Sequence, residues 1–417
     1  MLNWISGIPK KEKVLLALFC FTCLQLVTKI PDITLIPGER TKVFSGLLCG
    51  ITLSVLLVVR RGMLRLSPEW VMCIFLSLLC ILSGFFSGTP FSSLCRGITL
   101  IFSAVGGFWC GRLLFNTEFS QRMFARFCLV LLTLLLLFGL AGFFLYGDVV
   151  YLADIHKHTF NGLILLLSFG PLAFLYGGKR WLVIIGVVYL LAGSYVISLS
   201  FDPMIWFPPL LLFGWMLISM KKKRYILIPI LCVILLVSLF QKYKLPDHYY
   251  NKESISIWAR VENIFFSYHM AKKRPLLGIG LVAPRIGYLD DYTIVYPYVT
   301  REKFSAVLPE ENRSSENQFL TFMCDLGFPF LLMYSFSVAF LYLKLLKNIR
   351  EHGRGGKRNA IVLWIPITGS LIHFQVYDSL LQPQICWFFH ILLGMISANA
   401  AQSVGQTLHP GEKTEYS

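Results

Sequence analysis

Apolar runs of about twenty residues recur along most of this chain, each long enough to cross a bilayer as a helix. They fall at about 13–30, 42–59, 68–86, 94–114, 124–146, 158–177, 181–200, 204–220, 225–241, 316–343, 359–375 and 381–400. One interval breaks the pattern. From about Lys242 to Ser314 roughly seventy residues are mostly polar, and then the apolar runs resume. The pattern predicts an all-α polytopic membrane protein of about twelve transmembrane helices with one large external loop containing short helices. Its parts are 1–241 (spans one to nine), 242–314 (the loop), 315–400 (spans ten to twelve) and a polar tail, 401–417, expected to be disordered.

Within the loop, Glu253 to Met270 has helical spacing: Ile255, Ile257, Trp258, Val261, Phe265 and Tyr268 share one apolar face. Such a helix suits the outer membrane surface, and Pro275 stops it. Leu276 to Gly280 then reads as a tight apolar turn whose glycines, Gly278 and Gly280, permit close backbone approach. Residues 286–299 carry four tyrosines, Tyr288, Tyr292, Tyr296 and Tyr298. The first apolar run follows lysines but lacks a small-residue cleavage site, so it reads as a span and not as a signal peptide.

Composition agrees with this pattern. The chain has 417 residues, of which 56% are hydrophobic and 14% charged, against about 25% charged in soluble domains. A net charge of +16 invites a nucleic-acid reading, but the positions of the charges exclude it. Lysine and arginine gather in alternate short loops: Lys10 to Lys13, Arg60 to Arg65, Arg112 to Arg126, Lys179 with Arg180, Lys221 to Arg224, and Lys344 to Arg358. That asymmetry is the positive-inside rule, with both termini cytoplasmic and the large loop outside, in the periplasm of a bacterium. None of the eleven cysteines lies in that loop, so they read as small buried hydrophobes and not as a disulfide framework.

External positive charge gains nothing for topology. The loop nevertheless holds eleven lysines and arginines, among them Arg260, Arg274, Arg285, Arg301 and Arg313. Planar guanidinium groups suit phosphate and diphosphate, and tyrosine faces suit sugars. On charge alone, a solvated loop balanced by its own acids explains the same residues equally well. Glu316 and Asn317 stand where loop becomes helix, where a carboxylate can take a proton from a hydroxyl or simply favour a helix N-terminus. His156 and His158 flank Lys157 before a span. Their spacing does not share a helix face, which favours a diphosphate or sugar contact over a metal. Asp325, inside the tenth span, and Asp378, in the last external loop, are further carboxylates to place. No nucleotide-binding loop or hydrolase motif occurs, and no metal or cofactor is called for.

Three local patterns together resemble the O-antigen ligase and O-antigen polymerase superfamily of bacterial membrane glycan transferases. Arg260, an aromatic-rich helix and Arg274-Pro275-Leu276-Leu277-Gly278-Ile279-Gly280 resemble that family's arginine, helix and P-L-x-G-x-G. Ser315-Glu316-Asn317-Gln318-Phe319-Leu320, running to Asp325-Leu326-Gly327, resembles its H-N-x-x-L followed by acid-x-G. His156-Lys157-His158 is similar to a motif of some ligases. The resemblance implies a metal-independent glycosyltransferase of the bacterial inner membrane. It would move a glycan from an undecaprenyl-diphosphate donor onto lipid A-core (a ligase) or onto a second lipid-linked glycan (an O-antigen or exopolysaccharide polymerase). In that reading Arg260 meets the diphosphate, with Arg285 and Arg313 as second choices, and Arg274, His156 and His158 add contacts. Glu316 is the general base, Asn317 orients it, and Gly278 and Gly280 shape the covering turn. Two departures stand out: Glu316 occupies the family's histidine position, and Ser198-Leu199-Ser200 lacks an arginine that many members carry. A transporter or flippase for the same lipids is the rival of another class, expected to show repeats or broken helices at mid-membrane.

Overall fold

A computed structural model describes residues 9–28, 43–61, 67–147, 157–175, 180–199, 267–268, 270–281, 317–351, 354–375 and 377–408. Helices dominate, and no strand occurs among the described residues. In chain order the helices are α1 (Lys10–Thr28), α2 (Val43–Val59), α3 (Pro68–Phe85), α4 (Pro90–Leu114), α5 (Glu118–Tyr146), α6 (Lys157–Leu167), α7 (Phe169–Leu175) and α8 (Arg180–Leu199). After the large loop come α9 (Gln318–Leu326), α10 (Phe328–Glu351), α11 (Arg354–His373), a short 3-10 turn (Ser379–Leu381) and α12 (Pro383–Leu408).

Among the described residues, five segments are long and apolar enough to cross a membrane: Pro68–Phe85, Pro90–Leu114, Glu118–Tyr146, His158–Leu175 and Phe328–Arg350. Phe44–Val59, Trp181–Ile197 and Asn359–His373 are shorter apolar helices. Their outward faces are apolar too. Val71, Ile74, Phe75 and Leu78 on α3, and Leu332, Phe336 and Phe340 on α10, are all exposed. Exposed apolar surface on that scale belongs in lipid, so the chain is a helical membrane protein. The expected spans at 204–220 and 225–241 lie outside the described residues.

The helices run up and down between two ends. At one end Glu12 pairs with Arg60 at 3.5 Å, Glu69 with Arg112 at 3.2 Å, and Gln121 donates to Asn399 at 2.7 Å. This joins the starts of α1, α3 and α5 to the ends of α2, α4 and α12, and basic loop residues collect here. We refer to it as the basic end. At the opposite end lie the α3–α4 connection, the starts of α9 and α12, and the end of α11.

α12 is the hub. Trp387, Phe389, Ile391 and Ile396 are fully buried around it. Its tightest neighbour is α4, because Gly107 and Gly111 put bare backbone against the carbonyls of Trp387 and Ile391, and Gly394 does the same against Phe108. Small residues four apart let two membrane helices approach at backbone distance and gain dispersion contact that lipid cannot offer.

Three boundaries differ from the sequence pattern. The run at 158–177 is two helices, with a turn at Ser168 between α6 and α7. The run at 316–343 is broken at Gly327, between α9 and α10. The helix expected to end near residue 400 continues to Leu408, into the segment expected to be a disordered tail. Hydropathy averages over a span and cannot see a single-residue break, and polar residues continue a helix readily once it has started.

Candidate functional site

The break at Gly327 is where the two strongest sequence patterns meet. A helix end leaves its last carbonyls without partners, and a helix start leaves its first N–H groups without partners. Here the Arg274–Gly280 turn supplies both, while most of the helix expected at 253–270 lies outside the described residues. The Ile279 and Gly280 N–H groups donate to the Cys324 and Asp325 carbonyls at 2.9 Å each. Phe328 N–H, at the start of α10, donates to the Pro275 carbonyl at 2.7 Å. Ser83 Oγ on α3 adds a 2.6 Å bond to the same Asp325 carbonyl. The Arg274–Gly280 turn thus splints α9 to α10 and pins both to α3.

Glycine is required at each point of this contact. Gly278, Gly280 and Gly327 have φ of 65°, 96° and 86°, the left-handed region. A Cβ at Gly278 would collide with the Asp325 backbone, one at Gly280 with Ser87, and one at Gly327 with Leu276. Ile279 and Leu281 bury their side chains and anchor the turn, while Leu276 stays exposed. The expected close approach of the turn is therefore present, and its counterpart is the Asp325-Leu326-Gly327 pattern.

Asn317 has a structural use. Its Oδ1 caps α9, accepting from the Phe319 and Leu320 N–H groups at 3.0 and 3.1 Å. Its Nδ2 donates to the Gln375 carbonyl at 2.7 Å. Gln318 extends the strap: its N–H donates to the Phe374 carbonyl at 2.9 Å, and its Oε1 accepts from Leu380 N–H at 2.7 Å. The segment between α11 and α12 is thereby fixed to the start of α9.

That segment also reaches α6. The His158 ring stacks on Tyr377 with centroids 3.6 Å apart and planes 21° from parallel. Tyr377 lies 5.0 Å from the His373 ring, and His373 Nδ1 lies 3.3 Å from Ser379 Oγ. Among the described residues, the Gln318 Nε2, the Ser370 hydroxyl and both amide atoms of Gln384 are buried without a hydrogen-bond partner. One end of the bundle therefore carries a compact polar assembly drawn from α6, α9, the α11–α12 connection and the first turn of α12, beside the glycine turn. Two imidazoles and several amides can hold hydroxyl groups and move a proton there.

The expected site residues divide clearly. Asn317, His158, Arg274, Gly278 and Gly280 all fall at this end. Arg274 is exposed and donates from Nη1 to the Phe86 carbonyl at 3.2 Å, so one of its donors ties the turn to the end of α3. Glu316, Arg260, Arg285, Arg313 and His156 lie outside the described residues. Asp325 is buried, with its carbonyl engaged as above, and Asp378 starts the 3-10 turn. His373, Tyr377 and Gln318 were missed from the sequence. The signal for His373 and Tyr377 is a polar and aromatic gap, His373 to Gln384, and Gln318 directly follows Asn317 in the quoted pattern. No protein-family model matches the chain, and no curated protein matches it either, so the family resemblance rests on these motif residues and their order alone.

Proposed function

We propose that this chain is a membrane glycosyltransferase that moves a glycan from an undecaprenyl-diphosphate donor to an acceptor hydroxyl at the periplasmic face of a bacterial inner membrane. O-antigen ligation onto lipid A-core is the favoured reaction, and polymerisation onto a second lipid-linked glycan is the alternative. One observation supports the reading most. Two of the three segments that carry the resemblance, Arg274–Gly280 and Asp325–Gly327, over forty residues apart in sequence, are in direct backbone contact at the end opposite the basic loops. Such contact gives the glycine turn a reason to stand beside an acid-x-G pattern, namely to close the break between α9 and α10 next to a polar helix end.

In this reading the acceptor oxygen attacks the sugar carbon that bears the diphosphate. The C–O bond to the diphosphate breaks, and the acceptor proton passes to a base, for which Glu316 is proposed. Arg260, with Arg285 and Arg313 beside it, offsets the charge on the departing diphosphate. The diphosphate is already a good leaving group, so the reaction as proposed calls on no nucleotide. Asn317, engaged as a helix cap and strap, would serve by fixing the backbone that carries Glu316.

The test is a lipopolysaccharide gel from the host with this gene deleted and then restored. Lipid A-core without O units identifies a ligase, and core bearing one unit identifies a polymerase. An unchanged ladder overturns both O-antigen forms, and if capsule and exopolysaccharide are unchanged as well the proposal falls whole. Restoring the gene with Arg260→Ala, at normal protein level, should leave the defect uncorrected.

A further inference from the structure

A second feature starts at the basic end and reaches Phe322 and Leu380, beside the polar assembly. Between α3, α4 and α10 a cavity of about 440 Å³ opens on the flank of the bundle, within the size range of ligand pockets. Its walls are almost wholly apolar, with Met72 and Cys73 from α3, Ala104 and Phe108 from α4, and Ser337 and Leu341 from α10. Two places along it are polar. Glu69 and Lys344 line it at the basic end, and deeper in, His390 of α12 faces Tyr334, with the hydroxyl 3.4 Å from Nε2.

The charges at the mouth are not balanced. Glu69 is held by Arg112 at 3.2 Å and accepts from Ser397 Oγ at 3.1 Å. Arg112 in turn sits over the Trp109 ring, 5.0 Å from its centroid. That leaves Lys344 as the lining cation with no ion pair among the described residues. Its Nζ lies 4.3 Å above the Phe340 ring, and Lys347 and Arg350 follow on the same helix. A basic residue at the mouth of an apolar crevice between membrane helices suits an anionic lipid headgroup.

Length points the same way. From Lys344 to Tyr334 is ten residues of α10, about 15 Å at 1.5 Å per residue. That is about half of a hydrocarbon core of about 30 Å, the depth of one leaflet. Beyond Tyr334 the wall becomes the aromatic cluster of Tyr334, Phe330 and Phe322, whose rings lie 5.1–6.2 Å apart. We propose that this cleft is a binding site for one acyl chain of an anionic phospholipid from the leaflet at the basic end, with the headgroup phosphate on Lys344 and the chain running to the Tyr334–His390 pair. The lipid contact does not depend on the reaction proposed at the polar assembly.

The test uses the intact chain in phosphatidylcholine vesicles doped with photoreactive phosphatidylglycerol or, in parallel, photoreactive phosphatidylcholine. Labelled peptides are mapped after illumination. The phosphatidylglycerol probe should label peptides containing Met72, Cys73 or Leu341 in preference to the phosphatidylcholine probe. Lys344→Gln should weaken that labelling about fivefold, the worth of roughly one basic residue near an anionic headgroup. Ala104→Trp, which fills the cleft, should abolish it in protein that still elutes as a single species. Lys344→Gln alters a residue at the mouth and not in the core, so it keeps the test decisive if Ala104→Trp does not fold. Equal labelling by the two probes, or labelling indifferent to Lys344→Gln, overturns the proposal. So does displacement of the probe by a polyprenyl phosphate and not by unlabelled phosphatidylglycerol, since the cleft would then serve an isoprenoid.

Discussion

Gly280 shows how little room the candidate site leaves at single positions. Its φ of 96° and its contact with Ser87 both exclude a side chain. Gly280→Ala should therefore cost about 2–4 kcal/mol, combining left-handed strain with overpacking. Gly88 is the internal control. It lies one residue from Ser87, and a Cβ there meets nothing within 4 Å. Gly88→Ala should leave the thermal unfolding midpoint in detergent nearly unchanged while Gly280→Ala lowers it. Equal midpoints would remove the argument that the turn is sterically fixed. Asn317 offers a graded test of its two bonds. Asn317→Asp keeps the cap acceptor and loses the donation to Gln375, costing about 1 kcal/mol, whereas Asn317→Ala loses both, costing about 2 kcal/mol. Melting curves that rank wild type, Asp and Ala in that order would support a cap-and-strap role. An Asp variant less stable than Ala would contradict it.

At the scale of elements, the α4–α12 contact is the joint on which the bundle depends. Gly111→Leu must push α12 away from backbone contact at Ile391, because nothing flexible stands in the way. The expected result is a loss of about 3 kcal/mol or more, seen as low yield of monodisperse protein. The basic end has its own joint in the Glu69–Arg112 pair, each side chain about 20% exposed, with Ser397 bringing in α12. Such a pair falls between a surface bridge and a buried one. Glu69→Gln should cost about 1–2 kcal/mol by thermal unfolding, less than Gly111→Leu. The splint between α9 and α10 belongs to this scale too. It converts what reads as one long span into a short helix and a spanning one, which places the start of α9 beside the α11–α12 connection instead of in the lipid.

For the molecule as a whole, the helix contacts separate a basic end from an end that holds the glycine turn and the polar assembly. The positive-inside rule predicts that the basic end is the cytoplasmic one. Alkaline phosphatase fused after Gly88, in the α3–α4 connection, should therefore be exported and active, while the same reporter fused after Asn116, between α4 and α5, should be inactive. The opposite pattern would invert the membrane orientation and with it the periplasmic reaction proposed above. The lipid cleft would then face the outer leaflet, so the two proposals share this test although their chemistry is independent.

The sequence by itself determined the class of the protein and the ends of most helices. Membrane helices announce themselves because every backbone polar group must be satisfied within the segment, which forces long apolar runs, and because loop charge is biased to one side. It also marked Gly278 and Gly280, since close backbone approach restricts residue type locally, whereas Asn317, singled out to orient a base, is found capping α9. What only tertiary structure decided was which segments meet. The contact of Ile279 with Cys324, the strap from Asn317 to Gln375 and the stacking of His158 on Tyr377 join residues between 45 and 219 positions apart. No local pattern encodes those pairings. They arise because orphaned helix-end groups and small residues find partners only when the bundle closes.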